Sequence, residues 1–350
     1  MILVLKDKNL NKTAGIMFKK NLIISVGLIL LTFITISGCS TYNLTKSEES
    51  QSSHNISYEK LRLKEERQKS VWDSSLAQEN SFQLDIKPNA EEIRLAKQSA
   101  RSVVSHLKNS DIFIHFLLTE LKNNDLPLEL VAIPLIESGI NPKVRSNNGA
   151  HGAWQYIRST GKSVGLHKTK NYDDVYDFVK STQASVKYLK RMYKDLGNWE
   201  LVVAAFNQGE YGVKKAIEKA KDKGIEIKSA DDIKLTRGAR AYIKRFRAYA
   251  DIIKNPQKYN VSLPNIKNRP AFKKLKVADH INSLNEIAKI SGAHLDTLKK
   301  LNAGYLSDKI DNKHGLLVPI EHADNLEKHI QKISQENASN LKQNDIQKTN

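Results

Sequence analysis

The chain has 350 residues, 40 % hydrophobic and 27 % charged, a balance that excludes a wholly disordered polymer or a multi-span membrane protein and leaves room for one large or two modest domains. The formal net charge of +18 arises from 56 Lys+Arg against 38 Asp+Glu and points to a polyanionic neighbour such as nucleic acid, anionic lipid or an acidic wall polymer, although a generally lysine-rich composition accounts for it equally well. A single cysteine excludes a disulfide framework and a cysteine-based zinc site, and the ten histidines show no ligand spacing, so neither a metal nor a cofactor is expected.

In chain order, Lys19 and Lys20 precede an uncharged apolar run from Leu22 to Ile36, followed by Ser37, Gly38 and Cys39. Basic, apolar and small-residue regions in that order make a secretory signal, and the run is short for a membrane-spanning helix. The segment Ile36-Ser37-Gly38-Cys39 resembles a bacterial lipobox. That resemblance implies residues 1–39 as a lipoprotein signal, lipidation at Cys39 and a membrane-anchored protein facing the cell envelope, with Ser40 favouring the outer over the inner membrane. An exported chain is not expected to bind nucleic acid.

Residues 40–88 are rich in Ser, Glu, Lys and Gln and are expected to be a flexible tether, because they cannot bury enough apolar area to fold alone. From 89 to 260 apolar residues fall at helical spacing: Ile93, Ala96, Ala100, Val103 and Leu107; Phe113, Phe116, Leu117 and Leu121; Val186, Leu189, Tyr193 and Leu196. Asp111 suits one helix start, Asp177 or Ser181 another, and Gly197 a helix end. A smaller unit spans 271–328, where Ser283-Leu284-Asn285-Glu286 forms a capping box, Gly292 stops that helix, a second short helix follows, and apolar stretches on either side read as strands. The expected fold is mainly α, a helical domain followed by a small β-α-α-β unit. Residues 329–350, rich in Lys, Gln and Asn, are expected to be a disordered tail.

The segment with chemical potential is Pro134-Leu135-Ile136-Glu137-Ser138-Gly139-Ile140-Asn141-Pro142. Asn141-Pro142 must end the helix, so Glu137 falls in its last turn. Apolar neighbours and the negative end of the helix dipole both favour its neutral acid, the form a general acid needs near neutral pH. Downstream, Gly152-Ala153-Trp154-Gln155 offers an indole and an amide suited to a sugar's apolar face and polar edge, or else a core tryptophan and a satisfied buried amide. Ala205-Phe206-Asn207-Gln208-Gly209 breaks a helical run with a polar amide. Tyr242 stands in an apolar stripe with Phe246, Tyr249 and Ile253, and Arg237, Arg240, Lys244 and Arg247 share the opposite, solvated side.

Taken together these blocks resemble the membrane-bound lytic murein transglycosylases of the type D group, with a goose-lysozyme-like (SLT) catalytic domain. The match consists of an E-S-x-x-N-P segment (Glu137, Ser138, Asn141, Pro142), G-x-W-Q followed by S-T-G (Gly152, Trp154, Gln155, Ser159, Thr160, Gly161), the Y-D-x-x-x-D-x-x-x-S-T-x-A stretch from Tyr172 to Ala184, and Tyr242 in a basic helix. The family usually has tyrosine where this chain has Phe206. The resemblance implies cleavage of the β-1,4 bond between N-acetylmuramic acid and N-acetylglucosamine in peptidoglycan strands, with closure of a 1,6-anhydro ring. It implies Glu137 as sole acid and base, Ser138, Trp154, Gln155, Phe206 and Asn207 around the sugars, and Tyr242 orienting Glu137. The rival readings are a hydrolytic muramidase on the same fold and a decayed peptidoglycan-binding lipoprotein. The 271–328 unit resembles the degenerate LysM-like segment of the same family through Leu301, Asn302, Gly304 and Tyr305. A glycan-binding role and a packing role are both open to it.

Overall fold

Two reciprocal hydrogen bonds set the start of the helical domain. The Asn89 side chain accepts from Glu92 N at 3.0 Å, and Glu92 Oε2 accepts from Asn89 N at 2.8 Å, capping α1 (Ala90–Asn109). The computed structural model describes residues 59–277, 281–311 and 313–348; the export signal, Cys39 and the first part of the expected tether lie outside them.

Helix α1 buries Ala96, Ala100, Val103 and Leu107, a one-sided stripe that needs a partner. Helix α2 (Asp111–Asn123) buries Phe113, Ile114, Leu117, Leu118 and Leu121, with Ser110 rather than Asp111 at its N-cap. Helix α3 (Ala132–Ser138) is short and ends at Gly139 in the left-handed conformation, φ +66. A two-residue hairpin of β1 (Ala150–His151) and β2 (Tyr156–Ile157) leads to α4 (Arg158–Ser163). Asp177 caps α5 (Phe178–Leu196), and Gly197 ends it at φ +67. Helices α6 (Trp199–Gln208) and α7 (Glu210–Lys221) follow. Last comes α8 (Arg237–Lys254), capped by the Thr236 hydroxyl, which packs on α1, α3 and α6. Ala239, Ile243, Phe246, Ala250 and Ile253 of α8 are buried, so this helix is the axis of the core.

Strands β3 (Phe272–Leu275) and β4 (Leu316–Pro319) pair antiparallel, Phe272 opposite Pro319 and Leu275 opposite Leu316. Between them lie α9 (Leu284–Ser291), capped by Ser283 and ended by Gly292, and α10 (Leu295–Leu301), the β-α-α-β order expected. This unit is docked on the helical domain. Tyr172 stacks on His314 with centroids 3.8 Å apart and meets Tyr305 edge-on. Backbone bonds run from Asp173 N to Gly304 O and from Leu306 N to Asn171 O. A side chain at Gly304 would collide with the Tyr172 ring, since an added Cβ lies 2.6 Å from its Cζ, so glycine is required for the close approach.

The structure differs from the sequence-based expectation in three further places. The tether ends earlier than residue 88: Val71, Leu76 and Ala77 are buried in the core, Val71 N bonds Ile266 O and Trp72 Nε1 bonds Pro264 O, and the backbone N–H groups of Gln83 and Leu84 donate to Glu129. Each residue lacks a periodic pattern, yet each finds a partner far along the chain. Arg247 is not on a solvated face but buried, bonded to Glu92, Glu200 and Asp231. Finally, α11 (Ile320–Lys348) runs on through the expected disordered tail, anchored at its start by buried Ala323 and Leu326 and continued by residues of good helix propensity such as Lys, Gln and Leu.

Candidate active site

Glu137 sits in the last turn of α3, as the Asn141-Pro142 breaker requires. The end of that helix is held from outside: Gly139 turns the chain, its carbonyl accepts from the buried Ser110 hydroxyl at 2.9 Å, and a Cβ at Gly139 would lie only 3.0 Å from the His106 ring. Ser138 Oγ donates to Ala153 O at 2.8 Å and accepts from Asn141 N at 3.0 Å, tying the helix end to the loop that carries Trp154 and Gln155.

A cleft of about 310 Å³ opens beside Glu137, walled by Gln155, Tyr156, Tyr188, Phe206 and Asn207 over a floor of Trp154. Burial raises the Glu137 carboxyl to about 7, against the opposing pull of the Tyr242 hydrogen bond and of Arg245. Tyr242 Oη donates to Glu137 Oε1 at 2.7 Å, which sets α8 against the end of α3. The tyrosine is buried, and its own proton is held far more tightly than usual by burial and by the adjacent carboxylate. The pair therefore presents one acid that is half protonated near neutral pH, held in a fixed orientation.

Losing that hydroxyl should have two effects. For Tyr242→Phe the basic limb of the pH–rate profile is expected to move upward by up to about one unit, because the bond that favours the carboxylate is gone, and kcat to fall about tenfold from lost orientation. A profile that does not move would refute the orienting role.

The remaining anticipated residues divide. Asn207 is exposed at the cleft, and its side-chain amide makes no hydrogen bond to the protein. Phe206 packs on Trp154, Tyr156 and Tyr188 with centroids 5.9–6.4 Å apart, presenting an aromatic wall. Gln155 adopts a left-handed conformation, φ +49, and spends its N–H groups on Gly152 O and Val144 O, leaving Oε1 as its available polar atom. Trp154 is fully buried, with its indole N–H on Thr182 Oγ1 at 3.1 Å. It underlies the cleft and offers no exposed ring face. Ser138 does not line the cleft, and its hydroxyl is committed to the two protein partners above.

Sequence reasoning missed Tyr156 and Tyr188. Tyr156 directly follows the Trp-Gln pair, and its hydroxyl pairs with Ser185 at 2.8 Å; Tyr188 adjoins Leu189 of the apolar stripe in α5 but on the flank that faces the cleft. Adjacency to motif residues was the available signal for both.

Gly152 is the steric pivot of this loop. Its φ is +79, and an added Cβ would lie 2.0 Å from Val175 O, inside any allowed contact. Gly152→Ala is expected to destabilise the protein by on the order of 3 kcal/mol and to abolish cleft geometry, which thermal unfolding measures directly.

Among the described residues no other carboxyl group lines the cleft. Asp173 is paired with Arg158 at 2.7 Å and Asp174 with Lys180 at 2.7 Å. Asp177 accepts from Tyr172 Oη and from Lys180 N in its capping role. Glu210, just past the cleft at Gly209, is held down to about 2 by hydrogen bonds from Arg191 and Lys214. Among the described residues no group of His, Cys, Asp and Glu is placed to hold a metal.

Residues 116–228 match the Transglycosylase SLT domain, and residues 271–335 match the LysM-like domain of lytic transglycosylase MltD. Membrane-bound lytic murein transglycosylase D of Escherichia coli K12 is 34% identical over 251 residues, 68% of this chain and 54% of that protein; the chain thus spans about half the length of this relative. A protein of Alteromonas sp. (strain M-1) named for tributyltin chloride resistance is 30% identical over 170 residues, 47% of this chain and 78% of that protein. Among solved structures, an inactive mutant of lytic transglycosylase Slt from Pseudomonas aeruginosa aligns at 23% identity and a TM-score of 0.33, over 43% of this chain and 25% of that one. With its SLT domain followed by an MltD-type LysM-like domain, the chain belongs to the lytic murein transglycosylase D family.

Proposed function

We propose that the protein is a peptidoglycan lytic transglycosylase. The observation that carries this reading is the lone acid: among the described residues Glu137 is the one carboxyl group on the cleft, whereas glycoside hydrolysis normally uses two carboxyl groups flanking the scissile bond. A single carboxyl suffices when the nucleophile belongs to the substrate. Protonated Glu137 gives its proton to the oxygen linking muramic acid C1 to the next N-acetylglucosamine, and the C1–O bond breaks. The muramyl C6 hydroxyl then closes on C1, and the Glu137 carboxylate takes its proton, so the enzyme ends as it began and the product carries a 1,6-anhydro ring.

In this reading Asn207 and Gln155 Oε1 hold sugar amides or hydroxyls, Phe206 supplies an apolar face, and Trp154 and Ser138 fix the floor and loop without touching the sugar. Because the first step needs the neutral acid, cleavage should weaken as pH rises through about 7, where Glu137 ionises. The protein acts from the cell envelope, anchored through lipidated Cys39; the export signal of the sequence supports this, and among the described residues no helix is long and apolar enough to cross a membrane.

The deciding experiment is mass spectrometry of fragments released from purified sacculi. Ends one water lighter than reducing muramic acid are expected. Reducing ends would instead mean a muramidase, and binding without release would mean a decayed site in which Phe206 has replaced a needed hydroxyl.

A further inference from the structure

The seam between the helical domain and the LysM-like unit carries a second, open cavity of about 430 Å³, whose wall includes Lys143, Tyr176, Lys299, Asn302, Tyr305 and Asp308. Its chemistry is unlike that of the sugar cleft. Lys143 is exposed, its backbone N–H is taken by Asn141 Oδ1, and its ammonium makes no hydrogen bond or ion pair to the protein. Partial burial holds its ammonium below the usual lysine range, Asp296 opposing and Lys299 adding to the effect. On the wall with it, Asp308 uses Oδ2 to accept from the Asn285 amide, while its Oδ1 is buried with no hydrogen-bond partner, and Lys299 Nζ stands 4.0 Å away. The Asp308 side chain as a whole is 36 % exposed, so beside its long contact with Lys299 the carboxylate is open to a ligand's cationic N–H group.

The cavity also shares a structural element with the cleft. Lys143 lies six positions past Glu137 in the loop that returns through β1 to Gln155 and Tyr156 of the cleft wall. Tyr176, on the cavity, bonds His151 of β1 at 2.7 Å. One loop thus has catalytic-cleft residues at its end and a free cation near its start.

We propose that this seam cavity binds a short zwitterionic peptide, with Lys143 receiving a carboxylate and the Asp308 carboxylate receiving an ammonium group. The peptide stem of peptidoglycan, whose diamino acid carries both a free amine and a free carboxylate, has this chemistry; that identification rests on the murein reading above. The LysM-like unit then has a function beyond packing, because it supplies Asp308 and Lys299 to a site completed by the catalytic domain. A stem would be gripped at the seam while its glycan strand lies in the cleft.

The test measures binding without turnover. The full chain carrying Glu137→Gln, in detergent micelles, is titrated with a synthetic stem tripeptide ending in diaminopimelate, and with the same peptide acetylated on its free side-chain amine. Saturable binding is expected, weakened about tenfold by Lys143→Met and by acetylation, with Asp308→Asn no longer distinguishing the two peptides. Lys143→Met alters an exposed side chain without protein partners, so its fold should be intact. Absence of saturable binding, or an affinity that Lys143→Met leaves unchanged, would overturn the site. Should sacculi yield anhydro ends while the peptide fails to bind, only the seam site falls; should the peptide bind as described while sacculi are untouched, the site stands and the catalytic reading falls.

Discussion

Glu137→Gln is expected to lower release of anhydro fragments from sacculi by about a thousandfold, within the range that general acid–base groups contribute, with no loss of fold. The amide occupies nearly the same volume and can still accept the Tyr242 hydroxyl, but it cannot pass a proton to the glycosidic oxygen or take one from the C6 hydroxyl. A stability measurement separates this chemical loss from a structural one. The carboxyl rises from 4.5 to about 7 on folding, mainly through burial, so the neutral acid is the form the fold tolerates. A raised carboxyl contributes its stability fully below the unfolded value and loses it as pH climbs through the folded value. Wild type and Glu137→Gln should therefore unfold alike near pH 4, while above pH 7 the variant should be the more stable by on the order of 2–3 kcal/mol. Denaturant titrations at the two pH values check the sign. An active variant, or one less stable at pH 8, would remove Glu137 from its role.

The same residue illustrates how much of the site was written locally in the chain. Its place at a helix end followed from Asn141-Pro142 alone, and the apolar run before it announced the burial that raises its pKa. Helix starts at Asp177 and Ser283 and stops at Gly197 and Gly292 carry local chemistry, and the two strands of the small unit were visible as short apolar stretches bounded by breakers. What the chain could not show was pairing across distance. Whether Trp154 was a sugar platform or a core residue depended on Thr182, 28 positions away, taking its indole N–H. Ser138 reads as a free hydroxyl until Ala153 O is placed beside it. Tyr242 was selected through a family resemblance; the reason it matters, a 2.7 Å bond across 105 positions, exists only in the folded protein. The seam cavity was invisible for the same reason, since Lys143 and Asp308 come from different domains.

Arg247→Met is expected to cost about 3–5 kcal/mol, the range for removing one partner of a buried ion cluster, and to lower the unfolding midpoint by about 10 °C. By helical position alone Arg247 shares a face with Arg240 and Lys244, which reads as solvated surface, yet its guanidinium is the knot that joins three elements. Nε and Nη2 clasp the two Glu200 oxygens at 2.7 Å each, tying α8 to α6, and Nη1 reaches Glu92 of α1 at 3.0 Å and Asp231 at 2.8 Å. Burial works against its charge, but these carboxylates outweigh that effect and hold the guanidinium above its ordinary value. Methionine can fill much of the volume, so the penalty comes from charge left behind: Glu92 is 1 % exposed and would face the interior with only its bond from Asn89 N. The double variant Arg247→Met with Glu92→Gln should therefore recover part of the loss, because the stranded charge is removed while the capping bond to Asn89 survives. A single variant as stable as wild type would show that the cluster is solvated and the packing of α8 independent of it. A double variant no better than the single would place the cost in lost packing of the arginine stem rather than in the unpaired carboxylate. Because α8 also carries Tyr242, a loosened α8 should move the basic limb of the pH–rate profile upward, as Tyr242→Phe does, which connects the stability of the core to the orientation of the acid.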